Sequence, residues 1–327
     1  MPDVYTSDIS VGVVGLGLMG SSIVVSLLIA GHPVKAIAPL PEDMEAAPGR
    51  INNHLIQCER SGLLNRPVDS YIQQLTITED YAGLKNCKVV LECVIEIPEI
   101  KQVVYNKIES VVAADTIIAS NTSAIPITEL QQFVKKPGRF LGIHWAEPSY
   151  MTRFMEITCG GKTTAEYADW VFQLAHHWGK EPTLLKKDLR GFVTNRLMYA
   201  IYREGLHLVE KGEATLEDVD KAFRYDAGSW MTLMGIFRRM DFLGLQDYEE
   251  ILKNTFPKLS NEEKVPEMMQ EMIAAKARGT QSVKGLYPYT VEEAKRWDES
   301  FAMFNEDIFR LAALYPSAKE NNSEQNN

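Results

Sequence analysis

The sequence predicts an α/β chain, a doubly wound sheet followed by an all-α C-terminal domain, and three observations carry that expectation. Short apolar runs rich in β-branched residues alternate with helix-length segments over the first half of the chain. A Gly-x-Gly-x-x-Gly turn directly follows the first of these runs. After Asp188 the strand signal fades and helical spacing takes over. A chain of 327 residues also exceeds one ordinary core, which favours two domains.

Ser10-Val11-Gly12-Val13-Val14 reads as a buried parallel strand. Met19 to Ala30 is a helix-length apolar stretch stopped by Gly31, and Val34 to Ala38 is a second strand ended by Pro39. Residues 40–86 are more polar and mostly helical in pattern, an excursion from the sheet. Strands resume at Lys88–Leu91 and Thr116–Ala119, with a helical segment from Glu99 to Val112 between them. Further strand-like runs are Phe140–Ile143, Phe154–Thr158 and Pro182–Leu185. Leu197, Met198, Ile201, Leu206, Leu208 and Val209 then follow helical spacing up to Gly212. Thr215-Leu216-Glu217-Asp218 matches a capping box that opens the next helix. The expected domains are residues 1–187 (sheet) and 188–315 (helical), with a disordered polar tail at 316–327.

The formal charge of −10 argues against a nucleic-acid partner, whose phosphates need a basic surface. The sequence has no apolar run of about 18 residues, so no membrane span is expected. Its start lacks the basic and apolar blocks of a signal peptide. Cys58, Cys87, Cys93 and Cys159 show no C-x-x-C spacing and read as free thiols of a cytoplasmic protein. No metal site is expected. His176 and His177 are adjacent on a helix and diverge by roughly 100°, while His32 and His54 have no ligand partners in sequence.

In the turn, Gly15 permits the tight bend, Gly17 lets the backbone approach a pyrophosphate, and Gly20 lets helix and strand pack closely. Leu18 and Met19 open the helix whose N-terminal N–H groups and dipole favour the phosphates. Strand before and helix after make this a Rossmann-type dinucleotide site rather than a structural turn. One part is missing. The acidic residue that should end the second strand is replaced by Ala38-Pro39-Leu40, with Glu42 and Asp43 slightly further on. The nearest cation is Lys35, and no Arg stands ready for a 2′-phosphate. NAD is the expected cofactor, and NADP stays open because of Ala38.

Several further stretches resemble the 3-hydroxyacyl-CoA dehydrogenase family, with its lambda-crystallin, gulonate and carnitine dehydrogenase relatives. They are Leu91-Glu92-Cys93-Val94-Ile95-Glu96 with Lys101, Ser120-Asn121-Thr122-Ser123, His144-Trp145-Ala146-Glu147-Pro148 leading to Met155-Glu156, and Arg190-Gly191-Phe192-Val193-Thr194-Asn195-Arg196. A later segment, Lys284-Gly285-Leu286-Tyr287-Pro288-Tyr289, resembles the family's glycine-aromatic segment. The resemblance implies His144 as general base, Glu156 as the carboxylate that orients it, and Ser123 and Asn195 as hydrogen-bond partners of substrate oxygens. It also implies Glu96 and Lys101 along the nicotinamide ribose, a homodimer, and a place in fatty acid metabolism. Imidazole suits the base, since its ordinary pKa of about 6.5 lets it take and return a proton near neutrality.

Taken singly, each residue has a plainer reading: a satisfied core histidine, a buried structural carboxylate, an N-cap asparagine. The set in register favours chemistry. The family usually carries Asn where this chain has Glu147, which places a carboxyl close to His144 in sequence. The first expectation for the small-molecule substrate is a 3-hydroxyacyl-CoA. The second is a small free 3-hydroxy acid, favoured by the sparse cations of 40–86 (Arg50, Arg60, Arg66 and Lys85) and by Asn195–Ala200. A third reading is a cofactor-binding protein that has lost catalysis.

Overall fold

The computed structural model describes residues 9–314, so the tail expected at 316–327 lies outside the described residues. The chain divides into two compact units between Phe192 and Val193. The first is built on a sheet of eight strands: β1 (Val11–Val14), β2 (Val34–Ile37), β3 (Leu75–Thr78), β4 (Val89–Glu92), β5 (Ile117–Ser120), β6 (Phe140–Trp145), β7 (Phe154–Cys159) and β8 (Glu181–Leu185). Their order is β3-β2-β1-β4-β5-β6-β7-β8. Every neighbouring pair is parallel except β6 and β7, which run antiparallel. This is the doubly wound sheet expected from the sequence.

Helices α1 (Leu18–Ile29), α2 (Pro41–Arg60), α3 (Val68–Ile72), α4 (Pro98–Val111), α5 (Ile127–Leu130) and α6 (Ala165–His177) lie in this unit. Side chains alternate across the strands, so the sheet has a core on each face. Val11, Val13, Ala36, Leu91 and Ile143 belong to one core, and Val14, Ile37, Val90, Ile118 and Phe140 to the other. Helix α1 is buried from Gly20 to Leu28 on every side, apolar except for Ser21, Ser22 and Ser26, whose hydroxyls are hydrogen-bonded.

Three expectations change. The excursion at 40–86 is mostly helical as expected (Pro41–Arg60, Val68–Ile72 and Tyr81–Leu84), but it also contains the edge strand β3. Leu75-Thr76-Ile77-Thr78 alternates apolar and polar with β-branched residues, but pairs with β2 alone and is only half-buried, so its polar face masked it. Strand β6 runs on to Trp145, which places His144 inside the strand rather than after it. The division between units falls beyond Lys187. Asp188 accepts hydrogen bonds from the N–H (2.5 Å) and hydroxyl (2.9 Å) of Thr128, and Phe192 packs into the second core, tying 188–192 to the sheet unit.

The second unit holds α7 (Thr194–Glu210), α8 (Leu216–Ala222), α9 (Gly228–Leu243), α10 (Leu245–Thr255), α11 (Glu267–Ala274) and α12 (Val291–Leu314). Thr215 and Asp218 form the capping box of α8. Beyond Phe192, only Ser260 is buried among the described residues. The cysteines are free thiols, three of them buried. No described helix is long and apolar enough to cross a membrane.

Candidate active site

The three glycines differ in what surrounds them. Gly15 has φ +92°, and a Cβ there would lie 2.9 Å from the Cys93 carbonyl. At Gly20 a Cβ would stand 1.8 Å from the Gly15 oxygen, so close packing of turn and helix requires glycine. Around Gly17 nothing lies within 4 Å of such a Cβ. Gly17 is the N-cap of α1 and supplies no side-chain cap for the N–H groups of the first turn. That combination fits a dinucleotide's pyrophosphate.

A buttress stands behind the turn. Ser21 donates to the Leu16 carbonyl at 2.7 Å and Arg50 to the same oxygen at 2.5 Å. Asp43 accepts from the Leu16 N–H (3.3 Å) and from Arg50 (3.2 Å). Asp43, one of the two acids near the position of the absent ribose ligand, is therefore engaged in holding the turn. Ala38 is fully buried.

Strands β4 and β5 and helix α4 deliver the next group. Glu92, at the end of β4, is buried and accepts from Lys101 (2.8 Å), Tyr105 (2.7 Å), Ser120 (2.7 Å) and the Val94 N–H (2.8 Å). Lys101 is 1% exposed and bridges Glu92 to Glu96 at 3.1 Å. Burial opposes its charge, but Glu92 and Glu96 outweigh that and hold its pKa above the usual lysine value. Lys101 is thus enclosed, and it is Glu96 that reaches the surface. Burial would raise the Glu96 carboxyl, yet the Thr122 hydroxyl, Lys101 and the Ser123 N–H pull it below the usual range. Glu96 also accepts from the Ser123 N–H at 3.1 Å and the Ala124 N–H at 3.3 Å, which fixes the exposed Ser123 loop.

His144 and Glu156 are direct register partners across the antiparallel β6–β7 pair. The imidazole Nδ1 lies 3.0 Å from Glu156 Oε2, with Glu156 fully buried and His144 18% exposed. A carboxylate at Nδ1 favours the tautomer whose Nδ1–H donates to it, leaving Nε2 as the acceptor. The Phe192 ring lies 5.6 Å from the imidazole. Asn121 accepts from the Trp145 N–H at 2.9 Å, pinning the end of β6 to the loop after β5.

Glu147 follows on the connection to β7. Burial pushes its carboxyl up to about 7, and its Oε2 is enclosed with no partner. Asn195 belongs to the second unit, inside the first turn of α7, where Val193 holds the cap position; a capping role for Asn195 is thereby removed. His32 is structural. His32 accepts from Trp178 Nε1 at 2.9 Å, contacts the Ile9 carbonyl at 3.0 Å, and is driven to about 4 by burial and His177.

Glu92, Tyr105, Asn121 and Arg50 escaped assignment from sequence. Glu92 and Asn121 lie within the motif stretches, but only folding shows that Glu92, through Lys101, supports Glu96 and that Asn121 supports the end of β6.

The chain matches the family profile described as "3-hydroxyacyl-CoA dehydrogenase, NAD binding domain" over residues 10–189 and "3-hydroxyacyl-CoA dehydrogenase, C-terminal domain" over residues 191–289. It is 31% identical over 287 residues to the 5-formyl-3-hydroxy-2-methylpyridine 4-carboxylate 5-dehydrogenase of Mesorhizobium japonicum, covering 88% of this chain and 92% of the relative. It is 31% identical to an L-carnitine dehydrogenase of Oceanobacillus iheyensis, covering 80% and 88%. A solved structure of a 5-formyl-3-hydroxy-2-methylpyridine 4-carboxylic acid 5-dehydrogenase, an NAD+-dependent dismutase, superposes with a TM-score of 0.86 at 30% identity, covering 93% of this chain and 98% of that one. The structure of M. tuberculosis FadB2 gives 0.71 at 31% identity, covering 86% and 98%.

Proposed function

The chain belongs to the 3-hydroxyacyl-CoA dehydrogenase family, as an NAD-dependent oxidoreductase acting on CH–OH groups, and from that premise we propose that His144 is its general base and that its substrate is a small free hydroxy acid. The observation that carries the base assignment is the register pairing of a partly exposed imidazole with a fully buried carboxylate at 3.0 Å. In the oxidative direction His144 Nε2 takes the hydroxyl proton, while Glu156 holds the Nδ1–H and stabilises the imidazolium that results. NAD, held by the glycine turn, would supply the acceptor for the hydride of the same carbon. The turn at Gly15, Gly17 and Gly20, with Leu18 and Met19, would hold the pyrophosphate, and Glu96, held by Lys101, would bind the nicotinamide ribose. The family resemblance gives Ser123 and Asn195 the substrate's oxygens.

The substrate class follows from the cations. A CoA thioester carries phosphates that need a basic surface, and the 40–86 segment supplies little. Arg50 is committed to Leu16 and Asp43, Arg66 lies 4.6 Å over the Tyr71 ring, and Arg60 and Lys85 sit on separate elements. Two similar relatives are, by name, dehydrogenases of a pyridine carboxylate and of carnitine. The family's own name favours the thioester, which the test therefore includes. With NAD and purified protein, free 3-hydroxy acids should turn over and 3-hydroxybutyryl-CoA should not; the reverse pattern overturns the substrate class. His144→Gln should reduce kcat by about 10²- to 10⁴-fold, and a loss under about tenfold rejects the base.

The second unit supports a further part of this reading, a homodimer. Phe237, Phe242, Leu245, Phe301 and Phe304 are each more than half exposed on its helices, and a second copy would cover them. A second copy of the chain is the occupant that the family resemblance implies.

A further inference from the structure

We propose that Lys180 is a positioning residue for this reaction, clamping the connection between the strands of His144 and Glu156 to the helix that follows the glycine turn. This rests on the reading of His144 and Glu156 as the reacting pair. Lys180 stands just before β8 and is 5% exposed. Its ammonium donates to the carbonyls of Ser149 and Thr152 (2.6 Å to the latter) and lies 5.2 Å from the centroid of the Trp145 ring, next in chain to His144. Trp145 is in turn stacked on Trp178.

Ser149 receives α1 from the other side. Its N–H donates to the Ser22 hydroxyl at 2.8 Å, its own hydroxyl lies 2.9 Å from the same oxygen, and its carbonyl accepts from Ser26 at 3.0 Å. Ser22 and Ser26 are one helical turn apart and so share a face of α1. Every polar group of Ser149 is engaged, and the residue is 1% exposed. The connection from Glu147 to Arg153 is thereby held between Lys180 and the helix whose N-terminus faces the pyrophosphate.

A lysine is a poor choice for packing alone. Burial and the neighbouring Arg153 drive its pKa down to about 7, and an apolar side chain would fill the space without that penalty. What the ammonium adds is a pair of donors for two converging carbonyls. Those carbonyls lie on the segment that sets how β6 and β7 leave their paired stretch, and hence where the imidazole stands relative to α1. A misplacement of about 1 Å can lower a rate by about 100-fold.

The test compares Lys180→Met and Ser22→Ala/Ser26→Ala with the wild type in three measurements: kcat and KM with the best acid of the substrate panel, NAD affinity by calorimetry, and the ring ¹⁵N–¹H resonances of His144 in cofactor-free protein. Lys180→Met should lower kcat at least tenfold with KM and NAD affinity within threefold, and should shift or broaden the His144 Nδ1–H signal. The serine pair, which loosens the same connection from α1, should lower kcat at least threefold and move the same signal. If Lys180→Met fails to fold, the serine pair decides alone. A kcat within twofold of wild type together with an unmoved His144 signal overturns the proposal. Should His144→Gln keep full turnover, the base assignment falls, and the His144 signal still decides whether Lys180 positions that ring.

Discussion

The two units of this chain solve the problem of apolar surface in opposite ways. The first hides it: strands β1, β4 and β5 are buried throughout and feed a core on each face of the sheet. The second leaves it outside, with no described residue of α7 through α11 buried and aromatic rings such as Phe237 at 75% exposure. A unit with a closed core can hold costly groups in place, and the first does so with Glu92, Lys101, Glu156 and Lys180. In the proposed homodimer a second copy covers the apolar surface of the second unit. Substitutions in the first should therefore act through local geometry, and substitutions in the second through assembly.

The largest effect should come from the tightest point of the first unit. In Gly20→Ala the new methyl meets the Gly15 carbonyl at 1.8 Å, and the backbone of the turn itself must move. Thermal melts should show a loss of about 3 kcal/mol, and NAD titration a loss of binding. Gly17→Ala sharpens the contrast, because its methyl enters open space at φ −60°. It should melt like the wild type yet bind NAD at least tenfold more weakly. Equal stability losses in both variants would mean that Gly17 is not where the cofactor approaches.

What the sequence revealed follows the same line between backbone and side chain. The glycine turn was legible because a backbone requirement leaves a residue type at a fixed spacing. The fully buried strands were legible because both of their faces are apolar. Strand β3 was not, since an edge strand with one solvated face reads as polar. The pairing of His144 with Glu156 depends on the register of an antiparallel pair, and no local pattern announces that β7 turns back on β6. The roles of Arg50, Asn121 and Lys180 were hidden for a related reason. Each binds backbone carbonyls or N–H groups distant in sequence, and backbone groups carry no sequence signal.

A middle-sized effect should separate the second unit from the first. Each phenylalanine buried against a second copy is worth about 1.5–3 kcal/mol, so Phe237→Asp with Phe304→Asp should weaken self-association by at least about tenfold. Sedimentation over micromolar concentrations should show a wild-type dimer and a dissociating variant, with NAD binding by the first unit retained. A wild type that sediments as a monomer at every concentration would break the comparison, because the exposed rings would then need another cover.

The smallest effect lies within the first unit and concerns Glu147. Its carboxyl is raised from an ordinary 4.5 to about 7 by burial alone. Between those values the unfolded chain has lost this proton while the folded chain keeps it, so folding binds a proton and stability falls as pH rises from about 4.5 to about 7. Above that window both states are ionised and the loss is complete. A shift of this size corresponds to at most about 3.5 kcal/mol, and partial solvent access screens it to about 1–2 kcal/mol. Glu147→Gln removes the titration while keeping the shape of the group. Relative to wild type, the variant should be nearly unchanged at pH 4.5 and should gain several degrees in melting temperature by pH 7.5. Tyr150, whose hydroxyl is pushed upward by burial, by Cys58 and by Glu147, stays neutral across this window and does not blur the readout. A difference between variant and wild type that is constant from pH 4.5 to 7.5 would mean that Glu147 is ionised throughout, with its charge matched by water rather than suppressed by the fold.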